Sequence, residues 1–190
     1  MARRGGTWVQ RWRVPLGFVC AGQFVLLARP DRRSLIIGGV VALVGLAIRA
    51  WASGHIRKNA RLAISGPYAY TRNPLYLGSI ILGLGFTVAA SSNLLLFLIL
   101  GGLFASLFLG IYWPVMRVEA ATLAEMFGEE FKQYAAAVPL LFPRLTPYRA
   151  GQGSAVRFDP SLYLRYREYR AALGLLVAWC VLWLKAVLAF

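Results

Sequence analysis

Only two cysteines and one histidine occur in the 190 residues of the chain. Cys20 and Cys180 both stand inside apolar runs, where a free cysteine behaves as a small hydrophobe. Each is therefore expected to be a buried apolar residue, and neither points to a disulfide framework or a thiolate metal site. His55 alone cannot hold a metal, so no metal ligand set is expected. Acidic residues are scarce as well: seven Asp and Glu stand against 21 Lys and Arg, for a formal net charge of +14. Charged residues of both signs make up only 15% of the chain, well below the ~25% of a soluble domain. No nucleic-acid recognition module is visible, and the apolar runs are continuous rather than alternating, which excludes a closed membrane barrel.

Apolar residues account for 59% of the sequence, and the mean hydropathy is +0.60. Runs at about 14–29, 34–52, 74–90, 94–116 and 171–190 are near the ~20 residues that cross ~30 Å of hydrocarbon. They predict an all-α fold: one polytopic membrane domain, residues 1–190, with about five transmembrane helices. The arginines and tryptophans of residues 1–13 read as an interfacial anchor, and the first run as a retained helix rather than a cleaved signal peptide. With the N-terminus in the cytoplasm, the inside segments together with Arg49 hold 17 of the 21 basic residues. This is the arrangement expected of cytoplasmic loops, although the basic stretch at 29–33 runs against it. Arg49, near the end of the second run, is expected to snorkel to the interface. The C-terminus then lies outside. Gly102, Ser106 and Gly110 recur every four residues, as do Gly17 and Ala21, and such stripes let helices approach closely in lipid.

Between the fourth and fifth runs, Leu123, Phe127, Phe131, Tyr134 and Val138 recur at helical spacing, which predicts a cytoplasmic amphipathic helix ended by Pro139. Residues 139–160, rich in proline and glycine, read as irregular backbone.

The most specific polar cluster is "GPYAYTRNPLYLG", residues 66–78. Asn73 followed by Pro74 is a helix start, with asparagine at the N-cap and proline in the first turn. Arg72 then sits beside a helix N-terminus, where free N–H groups and a guanidinium suit a carboxylate or phosphate. By position alone, Arg72 is equally one more inside positive charge, and Tyr68, Tyr70 and Tyr76 are interfacial aromatics. Glu119 is the second candidate. A carboxylate at the hydrocarbon edge needs a partner or water, which Arg117 or a cationic ligand would supply.

These two segments resemble the signatures of the isoprenylcysteine carboxyl methyltransferase family and its phospholipid N-methyltransferase relatives. "TRNPLYLG" is similar to the first, Arg-His/Asn-Pro-x-Tyr-x-Gly. "EAATLAEMFGEEFKQYAAAVPLLFP" is similar to the second, through Glu119, Leu123, Phe127, Gly128, Glu130, Phe131, Tyr134, Val138, Pro139 and Pro143. Asn73 stands where histidine is commoner, and Ala120 where the family carries a second acid. The resemblance covers about residues 55–145. It implies a multi-spanning enzyme without a Rossmann domain that uses S-adenosyl-L-methionine. It also implies a lipid or lipidated acceptor reaching the cofactor from the bilayer, at the cytoplasmic face. Carried onto this chain, Arg72 and Glu119 are the catalytic candidates. Tyr70, Asn73, Pro74, Tyr76, Gly78, Glu119, Val138, Pro139 and Phe142 are the cofactor-binding candidates. A membrane reductase or a non-catalytic membrane protein on the same scaffold are the alternatives.

Overall fold

The computed structural model describes residues 19, 22–57, 61–149 and 157–188. Among these the chain is helical and contains no strand. Its named elements are α1 (Arg32–Ser53), a single 3₁₀ turn (Gly66–Ala69), α2 (Pro74–Ala89), α3 (Leu94–Ala137), α4 (Pro160–Arg165) and α5 (Tyr169–Leu188). Helices α1, α3 and α5 are long and apolar enough to cross a membrane, which makes this an integral membrane helix bundle. The first expected span lies partly outside the described residues, although 22–27 are helical. The anchor at 1–13 and Cys20 lie outside them too. Cys180, expected to be buried, is exposed on α5; in a helix whose flanks face lipid, an apolar position need not be an interior one.

Helix α2 is short, 16 residues or about 24 Å, and it is carried by α1. The two backbones cross at glycines. A methyl group at Gly85 would lie 2.4 Å from the Ala42 nitrogen, and one at Gly45 would lie 2.4 Å from the Leu82 nitrogen. This is the close approach that small residues permit in lipid. Among the described residues the stripe predicted on α3 does no such work, because a methyl group at Gly102 or Gly110 meets nothing within 4 Å. Gly17 and Ala21 lie outside the described residues.

Helix α3 runs for 44 residues. The amphipathic helix expected as a separate element is its continuation, since nothing between Met116 and Leu123 breaks the backbone hydrogen bonds. Pro114, inside the span, lacks an N–H to donate, and the backbone leaves helical geometry at Gly128, at φ 52° and ψ −122°, a conformation that a side chain would strain. Beyond it, Phe131, Tyr134 and Val138 are buried against Leu62, with Leu123 and Phe127 packed alongside. A second small core gathers Phe24, Ala28, Leu35, Ala89, Ala90, Leu100, Leu182 and Ala186 at the other end of the bundle. There the Lys185 ammonium donates to the Val25 and Leu26 carbonyls, satisfying the end of the 22–27 helix.

The loop before α2 is hydrogen-bonded to the segment after α3. The backbone N–H of Arg72 donates to the Pro139 carbonyl (2.9 Å), that of Arg144 to Tyr70 (2.9 Å) and that of Tyr148 to Ala69 (2.8 Å). The Thr71 hydroxyl donates to the Leu141 carbonyl (2.9 Å) and the Tyr134 hydroxyl to the Tyr68 carbonyl (2.7 Å). Asn73, the expected N-cap, makes no capping hydrogen bond. Its side-chain amide instead donates to the Leu140 carbonyl at 2.9 Å. The proline-rich segment leaves carbonyls without helical partners, and Asn73 satisfies one of them at the expense of the cap.

Two predictions follow the packing. Gly85→Ala should destabilise the protein by about 1–3 kcal/mol through overpacking, while Gly102→Ala should be neutral or stabilising by about 0.5–1 kcal/mol; thermal unfolding in detergent reads both. Asn73→Asp should cost more than Asn73→Ala, because it sets a carboxylate oxygen against the Leu140 carbonyl. The order of melting temperatures, and of limited-proteolysis rates at residues 139–149, checks the donor assignment.

Candidate functional site

Helices α1, α2 and α3 and the loop before α2 enclose a cavity of about 640 Å³ at the polar end of the bundle, within the ~300–1,000 Å³ of small-molecule sites. Its walls come from both segments singled out in the sequence. Arg72, Asn73, Pro74 and Tyr76 line it from one, and Glu119, Ala120, Leu123 and Phe127 from the other. The remaining expected residues do not line it. Val138 is fully buried in the Leu62 cluster. Pro139 and Tyr70 contribute carbonyls to the seam. Phe142 is 80% exposed. Gly78 packs beneath the Arg49 side chain, where a methyl group would lie 2.7 Å from Cγ.

Two of the backbone amides at Arg72 are already engaged. Its own N–H is taken by Pro139, and that of Asn73 by the Thr71 hydroxyl at 3.3 Å. The guanidinium beside them lines the cavity, and its Nε is buried without a hydrogen-bond partner. Burial holds the Arg72 pKa below its ordinary value, partly offset by Tyr134. An anionic group placed there would offset that desolvation.

Glu119 accepts a hydrogen bond from the Tyr76 hydroxyl at 3.4 Å, the outer edge of the range. Its ion pair with Arg117 does not form. The Tyr76 ring lies 5.5 Å from that of Tyr112, which stacks on Phe108 at 4.6 Å. An acidic group beside electron-rich ring faces suits a cation. Tyr68, which position alone made an interfacial aromatic, is only 6% exposed and lines the cavity. Burial first, and then the charges of Glu119, Tyr134 and Glu168, push its phenol well above the ordinary range, so it stays neutral. Its hydroxyl lacks a hydrogen-bond partner. Burial likewise raises Tyr134, against the lowering effect of Arg72.

Arg49, Arg57 and Arg61 also line the cavity, and sequence reasoning had not assigned them to it. For Arg49 a signal existed, since an ionisable residue inside an apolar span is a functional candidate by default. For Arg57, Arg61, Tyr68 and Tyr112 there was none, because their convergence depends on how α1 meets the loop. Among the described residues no group of three or more His, Cys, Asp or Glu side chains could hold a metal ion.

Two known proteins are similar in sequence. A cobalt-zinc-cadmium resistance protein of Cupriavidus metallidurans is 37% identical over 150 residues, 73% of this chain and 64% of that protein. A nickel-cobalt-cadmium resistance protein of Alcaligenes xylosoxydans xylosoxydans is 36% identical over 119 residues, 60% of this chain and 51% of that protein. The chain therefore matches less than two thirds of either relative's length. No solved structure matches it. The sequence profile named phospholipid methyltransferase matches residues 35–130, a stretch containing α2, most of α1 and α3, and nearly every cavity-lining side chain. By that match the chain belongs to the phospholipid methyltransferase family.

Proposed function

We propose that the cavity binds S-adenosyl-L-methionine and that the protein transfers its methyl group to a lipid or lipidated amphiphile at the cytoplasmic membrane face. The observation that carries this reading is the convergence of both signature segments on one cavity. The donor set fits the cofactor. The Arg72 guanidinium suits its carboxylate. Glu119 suits its ammonium, and the Tyr76–Tyr112 pair its sulfonium. The apolar side chains of Leu123, Met126 and Phe127 in the cavity wall suit an adenine or an acyl chain. When bound, the cofactor supplies an electrophilic methyl group on a positively charged sulfur.

The residues of the chain have three tasks in such a reaction. Arg72 and Glu119 orient the ligand by its two charged ends. The buried aromatics exclude water, so that an attacking heteroatom is not masked by solvation. The seam between the loop and the proline-rich segment holds these groups in register, and positioning is the larger part of catalysis when two reactants must meet in line. Asn73 is committed to Leu140 and is not disposed to act as a base. A neutral Tyr68 hydroxyl donates a hydrogen bond but does not remove a proton. If the acceptor is protonated, Glu119 is the cavity carboxylate available to take that proton.

The names of the two relatives support placing the methylated product in tolerance of divalent metals. Titration calorimetry in detergent should detect cofactor binding to the wild-type protein, and no heat would sink the reading. Arg72→Ala and Glu119→Ala should each lower affinity or turnover at least tenfold, about 1.4 kcal/mol; wild-type values in both would remove those residues from the site. Expressed in a metal-sensitive bacterial strain, the wild type should raise tolerance of cobalt, zinc or cadmium, and Arg72→Ala should not. Equal tolerance would detach the metal role from methyl transfer.

A further inference from the structure

One charged pair in the cavity wall joins it to a part of the chain outside the family match. Arg49, near the end of α1, donates through Nη2 to the Glu168 carboxylate at 2.7 Å. Through Nη1 it donates to the Ser79 hydroxyl (2.5 Å) and to the Leu75 carbonyl (3.3 Å). Leu75 and Ser79 belong to the first turns of α2, beside Pro74 and Tyr76 of the cavity wall. Gly78 gives the arginine its path, because any side chain there would strike Arg49 Cγ and the Gly45 carbonyl. Both partners are largely buried, at 21% and 13% side-chain exposure, so each needs the other's charge. Glu168 follows Arg167, whose φ of 56° is uncommon for a residue with a side chain. That turn stands between α4 and α5.

We propose that Glu168 is a positioning residue of the cavity: acting through Arg49, it holds the first turns of α2, and so the Pro74–Tyr76 wall, in the ligand-binding geometry. Helix α5 then supports the site rather than being an accessory span, because its entry residue braces the wall through Arg49. The proposal rests on the cavity being the cofactor site. It also makes a claim about the free protein, since Glu168 acts on α2 before any ligand arrives. A surface ion pair would have little such effect; this one is buried and shares its arginine with two α2 groups.

The test uses the full chain in detergent, with hydrogen exchange and S-adenosyl-L-methionine titration on each variant. Glu168→Ala should speed exchange in the peptide covering residues 74–82 at least fivefold. Exchange over residues 94–116 should be unchanged, and cofactor affinity should fall about tenfold. Glu168→Gln keeps an acceptor oxygen and should recover part of both effects. If Glu168→Ala leaves Arg49 too poorly paired to fold, Arg49→Met with Glu168→Leu removes both charges together. That protein should fold yet show the same fast exchange at 74–82 and the same weak binding. Glu129→Gln, at an exposed pair with Lys132, should match the wild type. Wild-type exchange at 74–82 in the folded variants overturns the proposal, and so does exchange that rises equally throughout the molecule. If the wild type binds no cofactor while exchange at 74–82 still depends on Glu168, the cofactor reading fails and the positioning of α2 stands.

Discussion

The structure depends on a seam of hydrogen bonds between the loop that enters α2, residues 68–73, and the segment that follows α3, residues 138–148. Its chemistry is complementary. Pro139, Pro143 and Pro147 cannot donate from the backbone, and the segment they interrupt leaves carbonyls that no helix satisfies. The facing loop meets them with the Arg72 N–H, the Thr71 hydroxyl and the Asn73 amide, while the N–H groups of Arg144 and Tyr148 donate back to its Tyr70 and Ala69 carbonyls. Each such bond contributes on the order of 1 kcal/mol, and an unmet buried carbonyl costs more than that. Without the seam, Arg72 would have no fixed relation to Glu119, because the two are joined in sequence only through α2, a turn and the span of α3.

A second constraint operates inside the membrane. Apolar surface gives helices little reason to associate in lipid, where packing and polar contacts decide. Helices α1 and α2 meet through Gly38, Gly45, Gly78 and Gly85, and the same closeness lets Arg49 reach the Leu75 carbonyl and the Ser79 hydroxyl of α2. The glycines thus do two things at once. They bind a short apolar helix to a long one, and they bring a charged group of the first into the polar end of the second.

The all-helical membrane fold was legible in the sequence, for a strong physical reason: a chain in hydrocarbon must satisfy its backbone internally, so long apolar runs have one outcome. Five of the residues that line the cavity were also singled out in advance: Arg72 and Glu119 because charged residues at a hydrocarbon edge are costly and stand out, and Asn73, Pro74 and Tyr76 because the family signature they resemble contains them. Less of the local detail could be read. The Asn-Pro pair looked like a cap, but the carbonyl of a residue 67 positions away won the asparagine side chain. The glycine stripe on α3 had the spacing of a packing face, yet the face used lies on α1 and α2. The amphipathic helix was seen, but not its continuity with the span before it.

By itself the sequence determined which segments are helical in lipid, which end of the bundle carries the basic charge, and which two short segments hold the unusual polar residues. These follow from local properties: apolar length, charge placement and turn chemistry. Only the tertiary structure decided that the two segments face one cavity, that Tyr68 is buried in its wall, that Phe142 and Gly78 stand outside it, and that Glu168 reaches Arg49 across 119 positions. Those outcomes depend on which carbonyls lack partners once the helices are packed, and on where glycine lets two backbones approach. Neither exists until the chain is folded.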